Sequence, residues 1–226
     1  MLKSVSVKES NPVPLTVMAG PFRGAGLVVN PDCSKRKLFG IYEHVLNSWW
    51  RNALPRTEVF WDIGASDGYF TFGCAHALKK YQGNGNILAF EPDENCRANL
   101  KLAASWPEYK GIEFEFLSQF VGSRHSQRCT TLDKVLWDRP QLQGKKCLVK
   151  VDVEGSEAEV LRGAISLLRE PHQWVVEVHG DHLIGEVVDL FEANGRRVDI
   201  VDPKPHWLLG AECRPIKTSW ATTRLQ

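Results

Sequence analysis

The fold is indicated first by the segment from Val59 to Phe70, which reads VFWDIGASDGYF. Its first five residues, Val59–Ile63, form a short apolar run typical of a buried strand. Gly64 and Gly68 then allow a tight turn in which the backbone can approach a ligand closely. The apolar periodicity that starts at Phe70 predicts a helix, which ends at the turn of residues 83–85. The segment therefore predicts a strand, a glycine turn and a helix, in that order.

The same alternation continues toward the C-terminus. Further helices are predicted to begin near Asp93, Ser156 and Asp181. Further strands are predicted at residues 87–90, 112–117, 147–153, 174–178 and 198–201. Strands that alternate with helices form a mostly parallel sheet covered on both faces. The predicted fold class is therefore α/β.

The pattern before residue 55 is different. Short strands are predicted at residues 15–18 and 26–29, on either side of Gly20-Pro21. A stripe of apolar residues from Leu38 to Trp49 has the spacing of one amphipathic helix. We therefore expect residues 1–54 to form an extension, a β-hairpin plus a helix, packed on a core domain of residues 55–226.

Composition limits the classes of protein that this chain can represent. With 226 residues, 43% of them hydrophobic and 24% charged, it can bury the core of one globular domain. A net charge of +1 gives no large positive field for nucleic acid or anionic lipid. The N-terminus lacks the apolar core of a secretion signal, and no apolar run approaches the roughly 18 residues of a membrane span. We therefore expect a cytoplasmic protein that binds neither nucleic acid nor membrane; its oligomeric state is not predicted.

The turn after the first core strand indicates a nucleotide-type ligand. Ligands of open parallel sheets bind beyond the carboxyl ends of the strands, where this turn lies. Its glycines follow a GxxxG spacing with Asp62 ahead of them, whereas a dinucleotide fingerprint needs GxGxxG. Asp62 repels a pyrophosphate but attracts a ligand with ammonium and sulfonium charges. Glu91, which follows the next strand, is placed to accept both hydroxyls of a ribose. A purely structural tight turn is the alternative.

Charged side chains also follow two later strands. Lys150, Asp152 and Glu154 alternate with valines and so share one face, and Glu177 and His179 repeat this pattern on the next strand. Because an unpaired buried charge costs several kcal/mol, these groups must be paired or lie at the open strand ends. One interpretation is an ion-pair network in which Lys150 neutralises Asp152 or Glu177.

The other interpretation of these charges is catalytic. The imidazole of His179 suits a general base that takes a proton from a hydroxyl or amine. Asp152 and Glu154 are the further catalytic candidates. They can also bind a hard divalent cation through oxygen ligands, but no metal is predicted, and the six cysteines lack the CxxC spacing of a zinc site.

Several motifs, in this order along most of the chain, resemble the FkbM-type S-adenosylmethionine-dependent methyltransferases, a class I methyltransferase family. They are DIGASDGYF at 62–70, FEP at 90–92, TLD at 131–133, KVDVEGSE at 150–157 and VLRGA at 160–164. The stretch from 20 to 43 also resembles the lead-in of that family. The KVDVEGSE stretch is the most specific of these motifs. One difference is Ser66, which stands where the family usually has asparagine; both side chains can form hydrogen bonds.

This resemblance implies a Rossmann-like, mostly parallel seven-stranded sheet whose last strand, near residues 217–223, is antiparallel. It also implies S-adenosylmethionine as the cofactor. Asp62, Gly64 and Gly68 would hold its methionine part, Glu91 its ribose and the region around Gln119 and Phe120 its adenine, with Asp152 near the sulfonium. The other residues predicted to contact the cofactor lie in the same two turns: Ala65, Ser66 and Pro92.

The sequence thus predicts a methyltransferase, with an oxygen of a small molecule or glycan as the acceptor. His179, Asp152 and Glu154 are its candidate catalytic residues. A non-catalytic cofactor-binding scaffold is the first alternative, although such a protein would have lost the charges at the strand ends. A nicotinamide-dependent oxidoreductase is the second, and the missing GxGxxG opposes it. Nitrogen remains an alternative to oxygen as the methylated atom, because both nucleophiles can use the same base.

Overall fold

The computed structural model describes residues 13–29, 35–207, 210 and 216–223. Within these residues the central sheet has seven strands. The strands of the chain are β1 (Val13–Thr16), β2 (Gly26–Val29), β3 (Val59–Ile63), β4 (Gly85–Phe90), β5 (Ile112–Leu117), β6 (Phe120–Val121), β7 (Cys129–Thr130), β8 (Cys147–Val151), β9 (Gln173–His179), β10 (Val198–Val201) and β11 (Thr218–Thr223). The helices are α1 (Lys35–Leu38), α2 (Asn47–Ala53), α3 (Tyr69–Gln82), α4 (Glu94–Ala104), α5 (Leu132–Trp137), α6 (Glu157–Arg162), α7 (Ile165–Arg169) and α8 (Asp181–Ala193).

The order of strands in the central sheet is β10-β11-β9-β8-β3-β4-β5. β3 pairs in parallel with β4 on one side and with β8 on the other, and β11 is antiparallel to both β9 and β10. The sheet is therefore mostly parallel, as predicted. The chain changes direction across the sheet between β3 and β8, and a crevice at the carboxyl ends of the strands is expected at such a switch point.

Two apolar cores lie on opposite faces of this sheet. Because β3 is central, its five residues are all buried, and successive side chains enter opposite cores. Phe60 belongs to the core under α2 and α3, whereas Trp61 and Ile63 belong to the core under α6, α7 and α8. The strand is thereby fixed along its length, which holds the turn that follows it in place.

The N-terminal strands β1 and β2 form an antiparallel hairpin outside the central sheet. Between them, Phe22 contacts the rings of Trp50 and Tyr69 edge-on, with centroids 5.3 and 5.4 Å apart. A Cβ atom added at Gly73 in α3 would lie only 2.4 Å from the ring of Phe22, which leaves room there for glycine alone. Residues before 55 therefore share the core of the main sheet on its α3 face.

The predicted single helix from Leu38 to Trp49 was wrong. The chain forms the four-residue α1, a 3-10 turn at His44–Leu46 and then α2. Gly40 and Glu43 between them have left-handed backbone, with φ of 64° and 49°. A Cβ atom at Gly40 would lie 1.9 Å from the carbonyl oxygen of Ala19, so the close approach of the hairpin sets this bend. No helix in the described ranges is both long and apolar enough to cross a membrane.

Candidate active site

A cleft of about 950 Å³ opens at the carboxyl ends of the central strands. One side of it, which we call the cofactor side, is formed by the turns after β3 and β4 and by the segment that enters β6. The other, the charged side, is formed by the ends of β8 and β9 with the start of β11. Both sides lie where the strand order reverses, the expected position of a ligand in this class of sheet.

The turn after β3 is held by backbone contacts. Gly64 has a φ of 83°, and a Cβ atom there would lie 1.9 Å from the carbonyl oxygen of Asp152. The amides of Gly64 and Ala65 both donate to the carbonyl oxygen of Phe90 at 3.0 Å. The amide of Asp152 donates to the carbonyl oxygen of Ile63 at 2.9 Å. Glycine at position 64 therefore lets three strand ends meet at the cleft.

Glu91 lies on the cofactor side with its carboxylate at the cleft surface. Its Oε2 accepts a hydrogen bond from the amide of Ser66 at 2.8 Å, and its Oε1 accepts one from the amide of Asp93 at 2.9 Å. Each oxygen has a further lone pair. The carboxylate is thus oriented by backbone and can still accept hydrogen bonds from a pair of ligand hydroxyls.

The structure brings most of the predicted site residues to one surface. Those that line the cleft are Gly64, Ala65, Ser66, Glu91, Pro92, Gln119, Phe120, Asp152, Glu154 and His179. Glu154 lies at its exposed rim, in a turn with a φ of 52°. Phe120, predicted to lie near the adenine of the cofactor, lines the cleft and is 60% exposed; its contact with adenine stays a prediction.

The two other predicted contacts, Asp62 and Gly68, lie behind the cleft lining. Gly68 immediately precedes α3 and has left-handed backbone, and a Cβ atom there would meet the side chains of Leu100 and Phe72. Asp62 is fully buried, and its Oδ2 accepts a hydrogen bond from Thr71 at 2.7 Å. Neither residue therefore lines the cleft: both hold the turn from behind, Asp62 also pairs with a neighbouring lysine, and their predicted contact with a cofactor stays a prediction.

That lysine is Lys150, only 2% exposed, which lies between the two sides of the cleft. Its Nζ is 3.1 Å from Oδ1 of Asp62, 3.4 Å from Oδ2 of Asp152 and 2.7 Å from the carbonyl oxygen of Gly64, to which it donates. Burial lowers the pKa of Lys150, but the two carboxylates outweigh it and hold that pKa above its ordinary value. The predicted pairing of Lys150 with Asp152 is confirmed, and Asp62 is its second partner.

His179 lies at the end of β9 beside two carboxylates. Its Nδ1 is 2.7 Å from Oε1 of Glu157, and its Nε2 is 3.8 Å from Oδ1 of Asp152. The hydrogen bond with Glu157 raises the pKa of His179 and outweighs the opposing effect of burial. An imidazole with a raised pKa at a cleft surface can accept a proton near neutral pH.

Glu177 is the second titratable group on β9 that faces the cleft, and it is 3% exposed. Burial, assisted by the nearby charge of Asp152, raises the pKa of Glu177 to about 7, although a hydrogen bond from Thr218 opposes the rise. This carboxyl group therefore changes charge in the neutral range. Such shifts are frequent among groups that handle protons in active sites.

Asp152, Glu177 and His179 offer ligand atoms that all lie within 4.8 Å of one another. Oxygen and imidazole nitrogen atoms are donors that several divalent cations accept. In this protein the ammonium of Lys150 already lies 3.4 Å from Asp152, so the cluster has a positive charge of its own. Lys150, which also pairs with Asp62, thus offsets part of the negative charge of this cluster.

The sequence analysis assigned no role to two groups at this site. Glu157 was quoted as part of the KVDVEGSE motif, but nothing in local spacing pairs it with His179, 22 residues away. Lys37, from the N-terminal extension, lines the cleft and donates to Oδ2 of Asp67 at 2.5 Å. Its ammonium also lies 4.9 Å from the ring centroid of Tyr42. The short basic cluster at 35–37 was the available signal for Lys37.

The comparison with known proteins finds one matching family model and many solved structures that have the same kind of fold. Residues 104–198, less than half of the chain, match the model of the methyltransferase FkbM domain. No curated protein sequence matches the chain significantly. The family match covers the ends of β8 and β9, whereas the turn after β3 and Glu91 lie before it and the start of β11 lies after it.

Similar solved structures are methyltransferases. FkbM from Methylobacillus flagellatus has 16% identity and a TM-score of 0.49, and the match covers 74% of this chain and 44% of that one. Trm5b from Pyrococcus abyssi has 11% identity and a TM-score of 0.51, covering 95% and 56%. TYW2 from M. jannaschii, solved in complex with AdoMet, has 13% identity and a TM-score of 0.47, covering 88% and 81%. The chain thus spans less than half of the Methylobacillus protein.

The order and directions of the strands are those expected of this fold. The predicted resemblance is confirmed: the chain has a Rossmann-like α/β fold similar to that of Trm5b, and its residues 104–198 match the model of the methyltransferase FkbM domain.

Proposed function

We propose that this protein is an S-adenosylmethionine-dependent methyltransferase that methylates a hydroxyl oxygen of a small molecule or glycan. The observation that carries the proposal is one cleft that joins Glu91 and the glycine turn to His179 and Asp152. Glu91 suits the ribose of a nucleoside-like cofactor, and the glycine turn lets the protein backbone approach that cofactor closely. His179 and Asp152 suit the removal of a proton beside a cationic group.

The residues present fit this cofactor. Glu91 keeps acceptor capacity for two hydroxyls, and Phe120 offers an exposed aromatic face for a base. Asp152, 23% exposed, places a negative charge at the cleft, which favours a sulfonium over a phosphate. A volume of about 950 Å³ lies within the range of pockets that enclose a cofactor with its substrate.

When bound, S-adenosylmethionine supplies a methyl group on a positively charged sulfur. The chain's own residues align the acceptor and manage its proton. Nε2 of His179, which lines the cleft, accepts the proton of the acceptor hydroxyl. Lys150 fixes Asp152 at the junction of the two sides, so the negative charge stays beside the position of the reacting groups.

Oxygen is favoured over nitrogen as the methylated atom because a hydroxyl needs a base more than a neutral amine does. A non-catalytic scaffold would not need buried groups such as Glu177 and Lys150, which cost free energy to bury. A nicotinamide enzyme is disfavoured because the turn after β3 lacks the GxGxxG spacing of a dinucleotide site. The absence of a strongly basic composition disfavours a nucleic-acid acceptor.

Isothermal titration calorimetry tests this proposal with S-adenosylmethionine, S-adenosylhomocysteine and, as a control ligand, reduced nicotinamide cofactor. We expect the first two to bind at micromolar concentration and the third not to bind. Glu91→Ala should weaken binding by about 1.5–3 kcal/mol, since it removes hydrogen bonds to a charged group.

The matched variant is Glu94→Ala, which removes an exposed carboxylate three residues away. It should leave the dissociation constants unchanged. Equal affinities for the Glu91→Ala variant and the unsubstituted protein would remove the ribose assignment. Binding of the nicotinamide cofactor alone would replace the proposed function by an oxidoreductase.

A further inference from the structure

Glu157 is a buried carboxylate that does not itself line the cleft. It is the first residue of α6 and has no exposed surface. Its Oε1 accepts a hydrogen bond from the amide of Gly155 at 2.8 Å and lies 2.7 Å from Nδ1 of His179. Its Oε2 has no hydrogen-bond partner among the described residues. A carboxylate in such a place is costly unless a charged or strongly polar partner faces it.

The partner of Glu157 is a residue of the cleft surface. Although burial raises the pKa of Glu157, the hydrogen bonds from His179 and from the backbone hold that pKa below its ordinary value. Glu157 is therefore ionised when His179 is neutral, and an ionised carboxylate can only accept a hydrogen bond. The proton of a neutral His179 must then be on Nδ1.

The other ring nitrogen is consequently left without a proton. Nε2 lies 3.8 Å from the nearest oxygen of Asp152, too far for a hydrogen bond. His179 lines the cleft, whereas Glu157 lies behind it. The imidazole of His179 thus lies between the carboxylate of Glu157 and the cleft. The carboxylate sets the tautomer of the ring.

We infer that Glu157 is the positioning residue for His179: it holds the proton on Nδ1, directs the lone pair of Nε2 into the cleft, and stabilises the imidazolium that forms there. The inference rests on the proposed function for the identity of the reaction. In that reaction the acceptor oxygen forms a bond to the methyl carbon while the bond from that carbon to sulfur breaks, and the electron pair stays on sulfur. The hydroxyl proton moves to Nε2 and is later released to water.

The other charges around the imidazole cannot replace this contact. Glu177 on β9 and Asp152 after β8 also raise the pKa of His179, but through space and not through a hydrogen bond to the ring. On β11, the residue in register with His179 is Thr218, which hydrogen-bonds Glu177. Glu157 alone among these groups touches Nδ1 within the described residues.

Nuclear magnetic resonance of the imidazole nitrogens tests the inference on the full chain labelled with nitrogen-15. The His179 signals are assigned by their loss in a His179→Asn variant. We expect the neutral ring to carry its proton on Nδ1 in the unsubstituted protein. In Glu157→Gln the amide oxygen can still accept that proton, so the tautomer should persist while the pKa of His179 falls by about one or more.

Two further variants separate a positioning role from general loss of structure. Glu159→Gln removes an exposed carboxylate two residues along the same helix, which contacts Ser123 and Arg162, and should leave the His179 titration unchanged. Glu157→Leu removes the acceptor as well as the charge, so the preference for the Nδ1 tautomer should disappear.

Two results would overturn the inference: a neutral His179 with its proton on Nε2 in the unsubstituted protein, or the same His179 pKa with and without the Glu157→Gln change. The tautomer is read in the unsubstituted protein, so this test stands even where a Glu157 variant fails to fold. Cofactor binding is measured separately by calorimetry. A failure of the proposed function therefore appears as lost binding, and a failure of this inference as a wrong tautomer or pKa.

Discussion

The two sides of the cleft are built in different ways. The cofactor side is fixed by backbone: the turn after β3 donates to the carbonyl oxygen of Phe90, and Glu91 is held by two amides. The charged side is fixed by ionisable side chains, with Lys150, Glu177 and Glu157 nearly or fully buried. The first side presents groups that backbone hydrogen bonds orient, whereas the second holds ionisable groups with shifted pKa values.

This difference indicates a division of labour. A cofactor common to many reactions needs a stable surface, which hydrogen bonds from a rigid turn provide at little electrostatic cost. Proton transfer needs groups whose pKa values differ from their ordinary ones, and burial next to other charges provides that. The ends of β8 and β9 on the charged side also lie within the region that matches the FkbM domain, whereas the glycine turn lies outside it.

The largest effect is expected from Lys150→Met, which tests whether charge pairing holds the charged side. The change leaves the fully buried carboxylate of Asp62 without its cation. The free energy of unfolding in urea should fall by about 3–5 kcal/mol near neutral pH. The deficit should shrink as the pH falls, because a protonated Asp62 no longer carries a buried charge.

Lys134→Met is the control for loss of a lysine, since Lys134 pairs with Asp138 at the exposed surface. It should cost less than about 1 kcal/mol. The double variant Asp62→Asn with Lys150→Met should recover part of the loss. If Lys150→Met is no more costly than the control, charge pairing does not hold this side together.

A somewhat smaller loss is expected on the cofactor side from Gly64→Ala. Left-handed backbone costs an alanine roughly 1–2 kcal/mol, and the new Cβ must also displace the carbonyl of Asp152. Together these effects should lower the free energy of unfolding by about 3 kcal/mol. Gly83→Ala shares the left-handed φ but meets nothing within 4 Å, so it should lose only about 1 kcal/mol. Equal losses in the two variants would show that the close approach at Gly64 is not a constraint.

The smallest effect is expected from Glu177→Gln, which tests the raised pKa of a buried group on the charged side. The folded pKa of about 7 lies above the ordinary value of 4.5, so between these values the folded protein holds a proton that the unfolded chain has released. The free energy of unfolding should therefore fall as the pH rises, by about 2 kcal/mol between pH 5 and 7.

Glu177→Gln should lose this part of the pH dependence when urea unfolding is measured at a series of pH values. Glu113→Gln, which replaces an exposed carboxylate on β5, should keep it. Identical pH profiles for Glu177→Gln and the unsubstituted protein would mean that Glu177 is not protonated in the folded state.

The cofactor side was largely predictable from local sequence. A strand, two glycines and a helix follow one another within a dozen residues, and Glu91 ends the next strand. The sequence did not reveal that Asp62 and Gly68 lie behind the cleft lining. Their position depends on packing against Thr71, Leu100 and Phe72. The strand predicted at residues 147–153 also ended too late, because Gly64 and Asp152 meet directly after Val151, the last residue of β8.

The charged side was predicted only as a set of residue types. Alternation along a strand placed Lys150 beside Asp152 and Glu177 beside His179, but the choice of partners depends on contacts between distant parts of the chain. The pairs Lys150–Asp62 and His179–Glu157 join different secondary-structure elements. The broken helix before residue 55 has the same origin, since the hairpin at Ala19 forces the bend at Gly40.

The sequence alone determined the α/β class, the strand and helix pattern of the core, and the turns that offer Asp152, Glu91 and His179 to one sheet edge. Periodicity and glycine spacing are local properties, and they specify these features before any long-range contact forms. Only the tertiary structure decided which charges are buried, which are paired and which reach the cleft. Burial and proximity set those pKa values, and both arise when distant segments pack together.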